Sequence, residues 1–451
     1  LGNYRLNYGY GLVMNTNFSL GKTAMISTLD TGSKGIKKHS STDEYYYFQG
    51  VAMSYQLSER WTFDMFYSNR NMSGNVDDLF ITSLKKDGYY RASNDFNKRN
   101  TFNNQLIGSN LSYNGKYIEC GLTGVYNVFN KMLNPSIRYY NTYYARGRDF
   151  LNIGINYKLF WKDFIFSGET AIDKRGKIAT FNKLSYSPDS DKKFVVMNRF
   201  YDVAYQSLYA RSVSEGNSVQ NESGIYIGLE TNLLGNFKLQ GYGDFFYFPW
   251  KKYQMSKAGT TGFDGLLQLN YSPTYELGMF IRYRYNQKMK DYTDKVDEKH
   301  TVPYIRHRWK YQLNYNWKEG CMLKTSVDYV HNHYRHQSSS QGILLTQSAG
   351  YRFHTIPLQL DMNIAWFCTD DYQSRISMYE KGLLYMFSIP SFYGKGMRYA
   401  LLTRYQFSNR LVIQAKYALT HYWDRNIIGT GYEQINDNQK GDLYLQMRWK
   451  F

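Results

Sequence analysis

The feature that most constrains the fold is an alternation of apolar and polar residues with a period of two. From Ile305 to Trp317, the odd positions carry apolar residues and His307, and the even positions carry only charged or amide residues. The same alternation returns in segments that begin at Val51, Ile118, Leu151, Ile225, Leu277, Leu358 and Leu411. Several of these segments approach ten residues, whereas strands of soluble proteins average about five or six. A strand with lipid on one face and water on the other has this pattern and this length.

The composition excludes the other common fold classes. Aromatic residues make up 18% of the 451 residues, which argues against disorder because so many rings would collapse. Three scattered cysteines exclude a disulfide scaffold. No uncharged apolar run approaches the length of about 18 residues that a membrane-spanning helix needs. The fold class predicted is therefore all-β, a single transmembrane antiparallel β-barrel that forms one domain over residues 1–451.

The connections between the predicted strands alternate in length. Short connections include Ser272–Tyr275 and Lys318–Gly320, and long ones include Asn69–Thr101, Tyr205–Ser223 and Asp424–Gly441. Short periplasmic turns and long extracellular loops are the arrangement of outer-membrane barrels. Counting the segments predicts roughly 20 strands, between 18 and 22, and places the protein in the bacterial cell outer membrane.

The last strand carries a terminal signal. Apolar residues occupy one face up to the final aromatic pair, and polar residues occupy the other; the pair is Trp449 and Phe451. Chains that end in this way resemble outer-membrane proteins recognised by the barrel assembly machinery, so we expect this pair to be the assembly signal. The sequence begins at Leu1 without a basic or apolar leader, and we expect a secretory signal to have been removed.

Six strings spread along the whole chain carry a family resemblance. They read GNYRLNYGYGLVM, GIKKHSSTDEYYYFQGVAMS, YARSVSEGNSVQNESGIYIGLE, DFFYFPW, YEKGLLYMFSIPSFYGKGMRYALL and QMRWKF. In this order they resemble the barrel region of Bacteroidetes helix-hairpin-helix domain-containing (ComEA-like) outer-membrane proteins. The resemblance implies a periplasmic segment with helix-hairpin-helix units before the barrel, and it keeps DNA uptake or other macromolecule transport open as an alternative role.

The predicted lumen face is basic, in line with a formal net charge of +18. Its cations are Arg282, Arg284, Arg306, Arg308, Lys310, Lys324, Arg398, Arg404, Lys416, Arg448 and Lys450. Clustered positive charge in a lumen favours anions and can tune a pore. The alternative is that a large barrel needs a polar lumen in any case and fills it with ion pairs.

The segment Tyr205–Gly224 is a candidate constriction loop. It is rich in Ser, Asn and Gly, which is typical of an external loop, yet it contains one of the family-like strings. We expect it to fold inward and narrow the pore, with Glu215 or Glu222 paired to a cation of the lumen wall. The polar residues available for this role are Arg211, Glu215, Gln220, Asn221 and Glu222.

Metal binding and catalysis have little support in the sequence. His307 lies the same distance from the predicted turn as His331, so the two should face each other, with His333 and His336 nearby. No carboxylate or thiolate joins this cluster, and we expect no metal site and no cofactor. The chain contains no Walker loop, GxGxxG, HExxH or CxxC motif, so we expect no catalytic residues and no enzyme activity.

These observations favour a channel, or a scaffold subunit of an envelope complex. Expected partners are outer-membrane lipid and lipopolysaccharide, the barrel assembly machinery and other envelope proteins. Nucleic acid binding is disfavoured for this region, because the aromatic residues share the lipid face while the basic residues lie on the opposite face, and a stacking groove needs both together.

Overall fold

The computed structural model describes residues 1–17, 22, 26, 35–216, 218–293, 298–317, 320–334 and 339–450. The fold is all-β, and over these residues 23 strands form one sheet and two more form a small hairpin. Among the described residues, none of the helices is long enough and apolar enough to cross a membrane. The chain divides into two compact units, which consist of residues 1–231, 240–263 and 288–301, and of residues 232–239, 264–287 and 302–451.

Among the described residues, twelve strands lie entirely in the first unit and a thirteenth, β13, lies there except for its last residue; the short helix α1 (Ser93–Phe96) is in the same unit. They are β1 (Gly2–Asn7), β2 (Gly35–Lys38), β3 (Phe48–Gln56), β4 (Trp61–Met72), β5 (Gly74–Asp77), β6 (Phe80–Leu84), β7 (Phe102–Asn114), β8 (Ile118–Leu133), β9 (Gly147–Trp161), β10 (Phe164–Asp173), β11 (Ile178–Asp189), β12 (Lys192–Tyr201) and β13 (Glu222–Asn232).

The later strands are on average longer. They are β14 (Phe237–Phe248), β15 (Thr260–Tyr271), β16 (Leu277–Thr293), β17 (Lys299–Trp317), β18 (Cys321–Tyr334), β19 (Ser339–Arg352), β20 (Leu358–Thr369), β21 (Ile376–Ser377), β22 (Ser391–Phe392), β23 (Lys395–Gln406), β24 (Leu411–Tyr422) and β25 (Gln439–Trp449).

Consecutive long strands pair antiparallel in both units. In the first unit, β3 pairs with β4, β4 with β7, and each strand from β7 to β12 with the next. The hairpin β5–β6 interrupts this order, and β6 forms a short parallel pairing with β8. In the second unit, the order runs from β17 through β20 to β23, β24 and β25. The short hairpin β21–β22 lies in the connection between β20 and β23.

The two faces of the sheet differ as the alternation predicts. On β9, the side chains of Ile153 and Ile155 are 41% and 57% exposed, whereas Asn152, on the opposite face of the same strand, is only 5% exposed. On β8, Leu122 is exposed and Thr123 is buried. We call the face with exposed apolar residues the outer face, and the face with buried polar residues the inner face. The predicted assignment of residues to faces is confirmed for these strands.

The strand count exceeds the predicted 18–22. Among the described residues, nineteen strands of the large sheet have nine or more residues, and β1, β2, β5 and β6 add four short ones. Segments of four to six residues are too short for a period of two to be distinguished from chance, so the sequence did not reveal them. The sequence also predicts a long connection over Gln287–Val302, and this prediction is wrong in length, because β16 continues to Thr293 and β17 begins at Lys299.

Adjacent residues of β17 provide a matched test of the faces. Leu313 lies on the outer face, and Asn314 lies on the inner face opposite Lys324 of β18. Leu313→Asp should impair assembly, since a charge on a lipid-facing position costs about 2–4 kcal/mol for Arg or Lys and less for Asp. Asn314→Asp should assemble normally, and Ile153→Asp should behave like Leu313→Asp. The measurement is the heat-modifiable mobility of the folded protein on gels, and equal tolerance of both changes would contradict the assignment.

Candidate functional site

The N-terminal segment is buried within the first unit. Leu6, Tyr8, Leu12, Val13 and Met14 each expose 1% of their surface or less. The residues that follow β1 leave the sheet at Asn7 and turn back, so that the amide of Thr16 bonds the carbonyl of Leu6 at 3.0 Å. A segment that sequence analysis could not assign to a strand is therefore part of the interior of this unit.

A single carboxylate holds this segment. Glu169, on the inner face of β10, is 2% exposed. It accepts hydrogen bonds from the backbone amides of Tyr10, Leu12 (3.1 Å) and Val13 (3.2 Å). We call these amides and Glu169 the amide nest. Backbone N–H groups that converge in this way form a concave anion site.

Two glycines make the amide nest possible. Gly9 has a φ of +57° and Gly11 has a φ of +84°, values at which a residue with a Cβ atom is strained. A Cβ atom on Gly9 would also lie 2.6 Å from Oε2 of Glu169. The closely spaced pair of glycines was the sequence signal for the backbone half of the amide nest. The carboxylate half, Glu169, lies 157 residues from Leu12 and carries no such signal.

The candidate constriction loop packs on the same segment. Tyr205 donates its hydroxyl to the carbonyl of Leu12 at 2.9 Å, and the amide of Arg211 bonds the carbonyl of Gly11 at 2.8 Å. The amide of Asn15 bonds the carbonyl of Tyr209 at 2.9 Å. Tyr205 and Tyr209 are both buried. The loop is thus an interior element of the first unit rather than a solvated one.

Four of the five residues singled out in this loop tie it to its surroundings, three of them through contacts outside the charge network described next and Glu215 through an ion pair that belongs to it. The guanidinium of Arg211 lies over the ring of Tyr46 at 3.7 Å and bonds the carbonyl of Asn17. Gln220 bonds the carbonyl of Tyr143 at 2.7 Å. The Asn221 side chain bonds both the carbonyl and the amide of Trp250, at 3.1 and 2.7 Å. Glu215 reaches Lys22, which ion-pairs with it at 2.6 Å.

Glu222 belongs to a buried charge network centred on Arg199 of β12. Arg199 bonds Glu222 at 2.7 Å and bonds both carboxylate oxygens of Asp244, at 2.7 and 3.0 Å. Arg199 is 2% exposed, and both carboxylates are fully buried. Glu222 also accepts the backbone amides of Glu215 and Gly216, at 2.7 and 2.9 Å. This network is the contact between the loop and a cation of the inner face.

Two lysines complete the network. Lys22 pairs with Asp244 as well as with Glu215. Lys252, in the connection after β14, lies 3.8 Å from Glu222, and burial lowers the pKa of its ammonium group. Three cations therefore face three carboxylates. Buried charges need such pairing, because removing one partner leaves the other unsatisfied at a cost of about 3–5 kcal/mol.

The second unit has its own inward anchor, which sequence analysis missed. Glu380, in the connection between β21 and β22, is 2% exposed. It accepts two bonds from Arg398, at 2.7 and 3.0 Å, and pairs with Lys416 at 2.7 Å. The β21–β22 hairpin buries Ile376, Met378 and Phe392 in an apolar cluster with Val330, Leu344, Ala365, Phe367 and Tyr422. Nothing in the local sequence distinguishes Glu380 from a solvated loop glutamate.

The other predicted lumen cations are divided between paired and open positions. Arg284 makes two 2.8 Å bonds to Asp264, Lys310 pairs with Asp328 at 2.6 Å, and Arg282 bonds Gln268 at 2.6 Å. Arg306 donates to the carbonyl of Arg375. The remaining members face polar or apolar neighbours of the adjacent strand, with Arg308 opposite Val330, Lys324 opposite Ser348, Arg404 opposite Gln414 and Arg448 opposite Val412.

The proposed assembly signal is described only in part. Trp449 is 59% exposed at the end of β25, opposite Leu411 of β24. Phe451 lies outside the described residues, as does His336 of the predicted histidine cluster. The predicted pairing of His307 with His331 is confirmed by the register of β17 and β18.

No protein-family model matches the chain, and no curated protein matches its sequence. Among solved structures, the FpvAI–pyocin S2 complex matches with a TM-score of 0.50 at 9% identity, over 92% of this chain and 68% of the other. The siderophore receptor PirA from Acinetobacter baumannii matches with a TM-score of 0.49 at 8% identity, over 89% and 70% of the two chains. The ferripyoverdine receptor of the outer membrane of Pseudomonas aeruginosa matches with a TM-score of 0.48 at 9% identity, over 90% and 64%.

The first of these likenesses shows the fold. The antiparallel sheet is like those of outer-membrane β-barrel proteins. The protein is located in the bacterial outer membrane, as its alternating strands predict. At 9% identity the likeness says nothing about what the chain binds or transports.

The amide nest predicts a specific response to loss of its carboxylate. Glu169→Ala leaves three buried backbone donors without an acceptor, at about 1–3 kcal/mol each, so the N-terminal segment should loosen. A cysteine at Val13, which is 1% exposed in the native protein, should then react with maleimide at least tenfold faster. Glu169→Gln, which keeps one acceptor oxygen, should give an intermediate rate.

The control for this experiment is Glu276→Ala, in an exposed turn of the second unit. All variants carry alanine in place of the three native cysteines. Equal labelling rates at position 13 in the parent and in Glu169→Ala would contradict the anchoring role of Glu169.

Proposed function

We propose that this chain is an integral outer-membrane protein whose sheet closes into a single barrel and acts as a channel narrowed by its own segments. The observation that carries the proposal is the amide nest, which fixes the N-terminal segment to the inner face of β10. The candidate constriction loop packs on that segment and is tied to Arg199 through Glu222. Together they occupy the space on the inner face of the first unit.

The chemistry of these anchors supports a narrowed channel over a permanently filled barrel. Buried ion pairs are weak evidence for stability, because well-packed apolar residues of similar volume stabilise as well or better. The Glu169, Glu222 and Glu380 contacts add polar anchors to the apolar packing of these segments, so each segment is attached at specific points of the inner face.

The charge of the second unit supports a preference for anions. Arg308 is exposed on the inner face, while Lys310 and Arg284 are partly neutralised by carboxylates. A polar lumen with unneutralised positive charge attracts anions and raises their local concentration. Basic residues of the connecting loops, rather than these inner-face cations, would be the direct partners of lipopolysaccharide phosphates.

The position of the aromatic residues supports transport of small solutes over DNA uptake. Trp309 is exposed on the outer face, and its neighbours Arg308 and Lys310 point to the inner face. A channel for single-stranded nucleic acid would need aromatic and basic residues on the same face. A scaffold role in an envelope complex remains the main competitor, and conductance distinguishes the two.

The topology of this proposal has a direct test. Tyr432, in the connection before β25, and Tyr275, in the turn before β16, are both highly exposed. With the native cysteines replaced by alanine, Tyr432→Cys should react with a membrane-impermeant maleimide on whole cells, because long connections face outward. Tyr275→Cys should react only after the outer membrane is opened. The reverse pattern would invert the topology.

Removing part of the loop should widen the channel. Deletion of Ser212–Gln220 keeps Asn221 and Glu222 but removes Glu215 and Gln220, which tie the loop to Lys22 and Tyr143. Single-channel conductance in planar bilayers should therefore rise. Deletion of Gly429–Glu433, an exposed stretch of another connection, is the control and should leave conductance unchanged. A Ser212–Gln220 deletion that folds normally and conducts no better than the parent would argue for the scaffold role.

A further inference from the structure

Three histidines meet on the outer face of the second unit, at the end of the β17–β18 pair that lies farthest from its turn. His307 lies directly opposite His331, and His333 lies opposite Ile305. All three side chains are half-buried. One potential ligand atom from each lies within 4.8 Å of the corresponding atoms of the other two. We call these residues the histidine triad.

The rings of the histidine triad are arranged face to face. Their centroids are 5.4 to 6.0 Å apart, and their planes differ by 12° to 29°. Two nitrogens bound to one zinc ion at about 2.0–2.1 Å are roughly 3.3 Å apart in a tetrahedral site. An ion lies in the plane of each imidazole that binds it, so these near-parallel rings must rotate about their side-chain torsions for the three nitrogens to reach ligand distance. The strands already hold one potential ligand atom of each ring within 4.8 Å of the other two.

The surroundings of the histidine triad supply the orientation that a ligand set needs. The hydroxyl of Tyr283, on β16, contacts Nδ1 of His307 at 2.8 Å. Metal-binding histidines use such a bond on one ring nitrogen to fix the ring and leave the other nitrogen for the metal. Nδ1 of His333 is buried and makes no hydrogen bond to any described residue, so it has an unsatisfied donor or acceptor position. A metal ion would satisfy it.

We propose that the histidine triad binds one divalent transition-metal ion of the zinc class. Three neutral imidazoles suit zinc, copper or nickel, and they leave a fourth position of a tetrahedral ion for water or an external ligand. No thiolate and no carboxylate belongs to the set among the described residues, so hard ions such as calcium and magnesium are excluded by ligand chemistry. The proposal replaces the expectation from sequence that this chain holds no metal, and it does not depend on the channel function.

The spacing along the chain already places His333 beside the His307–His331 pair, because His331 and His333 share one face of β18. The spacing does not reveal that one potential ligand atom of each ring lies within 4.8 Å of the other two. The competing explanation is that these rings only continue the aromatic contacts formed by Tyr283, Tyr285 and Trp309 beside them. That explanation predicts no metal binding.

The test uses the full chain, purified in detergent without a histidine tag and stripped with chelator. After equilibrium dialysis against micromolar Zn²⁺, the wild-type protein should retain one zinc per chain, measured by mass spectrometry of the metal. His307→Ala, His331→Ala and His333→Ala should each weaken binding at least a hundredfold. Tyr283→Phe should weaken it about tenfold, the lower end of the effect of outer-shell partners.

His421→Ala, on the outer face of β24, is the matched control and should retain the zinc. Folded mobility on gels identifies any variant that fails to assemble. X-ray absorption of the zinc-loaded wild-type protein, which needs no variant, should show three imidazole ligands at about 2.0–2.1 Å. A wild-type protein that retains less than half an equivalent of zinc, or a spectrum without imidazole ligands, would overturn the proposal.

Discussion

The structure depends on one constraint, which is that backbone polar groups facing lipid must be satisfied by other backbone groups. Long antiparallel strands meet this constraint, and they force each strand to present one face to lipid and the other to the interior. The exposed Ile155 and Leu122 and the buried Asn152 and Thr123 follow from it directly. The polar inner face then creates a second requirement, because its buried charges need partners. The segments that fold onto the inner face supply those partners.

The same solution is used in both units. In the first, Glu169 holds the N-terminal segment and Glu222 holds the loop before β13; in the second, Glu380 holds the connection between β20 and β23. Each carboxylate joins a non-strand segment to the sheet. Glu169 lies on the sheet and accepts hydrogen bonds from backbone amides of the segment. Glu222 and Glu380 pair with cations of the sheet. Part of the positive charge on the inner face, including Arg199, Arg398 and Lys416, thus serves as attachment points for these segments. The fraction of that charge left open is smaller than its sequence count indicates.

The sequence predicted what depends on local periodicity and missed what depends on distant contacts. The faces of the strands, the outer-membrane fold and the His307–His331 register followed from spacing alone. Strands of four to six residues escaped detection, and the network around Glu380 could not be foreseen, because Arg398 and Lys416 are its partners only through the pairing of β23 and β24. The loop before β13 was predicted in part. Its polar residues indicated that it would bind to the inner face, but its contacts with the N-terminal segment could not be predicted, because that segment shows no strand periodicity.

The separation along the chain between the two halves of the amide nest has a consequence for the order of folding. Leu12 and Glu169 are 157 residues apart, and contacts of this kind form late because a long loop must close first. Leu12 precedes Glu169 in the chain, so the N-terminal segment leaves the ribosome and the secretion channel before β10 does, and it has no place to dock until β10 is in the sheet. This segment must remain extended and undocked while the next third of the chain is secreted. Gly9 and Gly11, which shape the amide nest, also have high conformational freedom and disfavour regular secondary structure. They therefore help to keep the segment unstructured until β10 is in place.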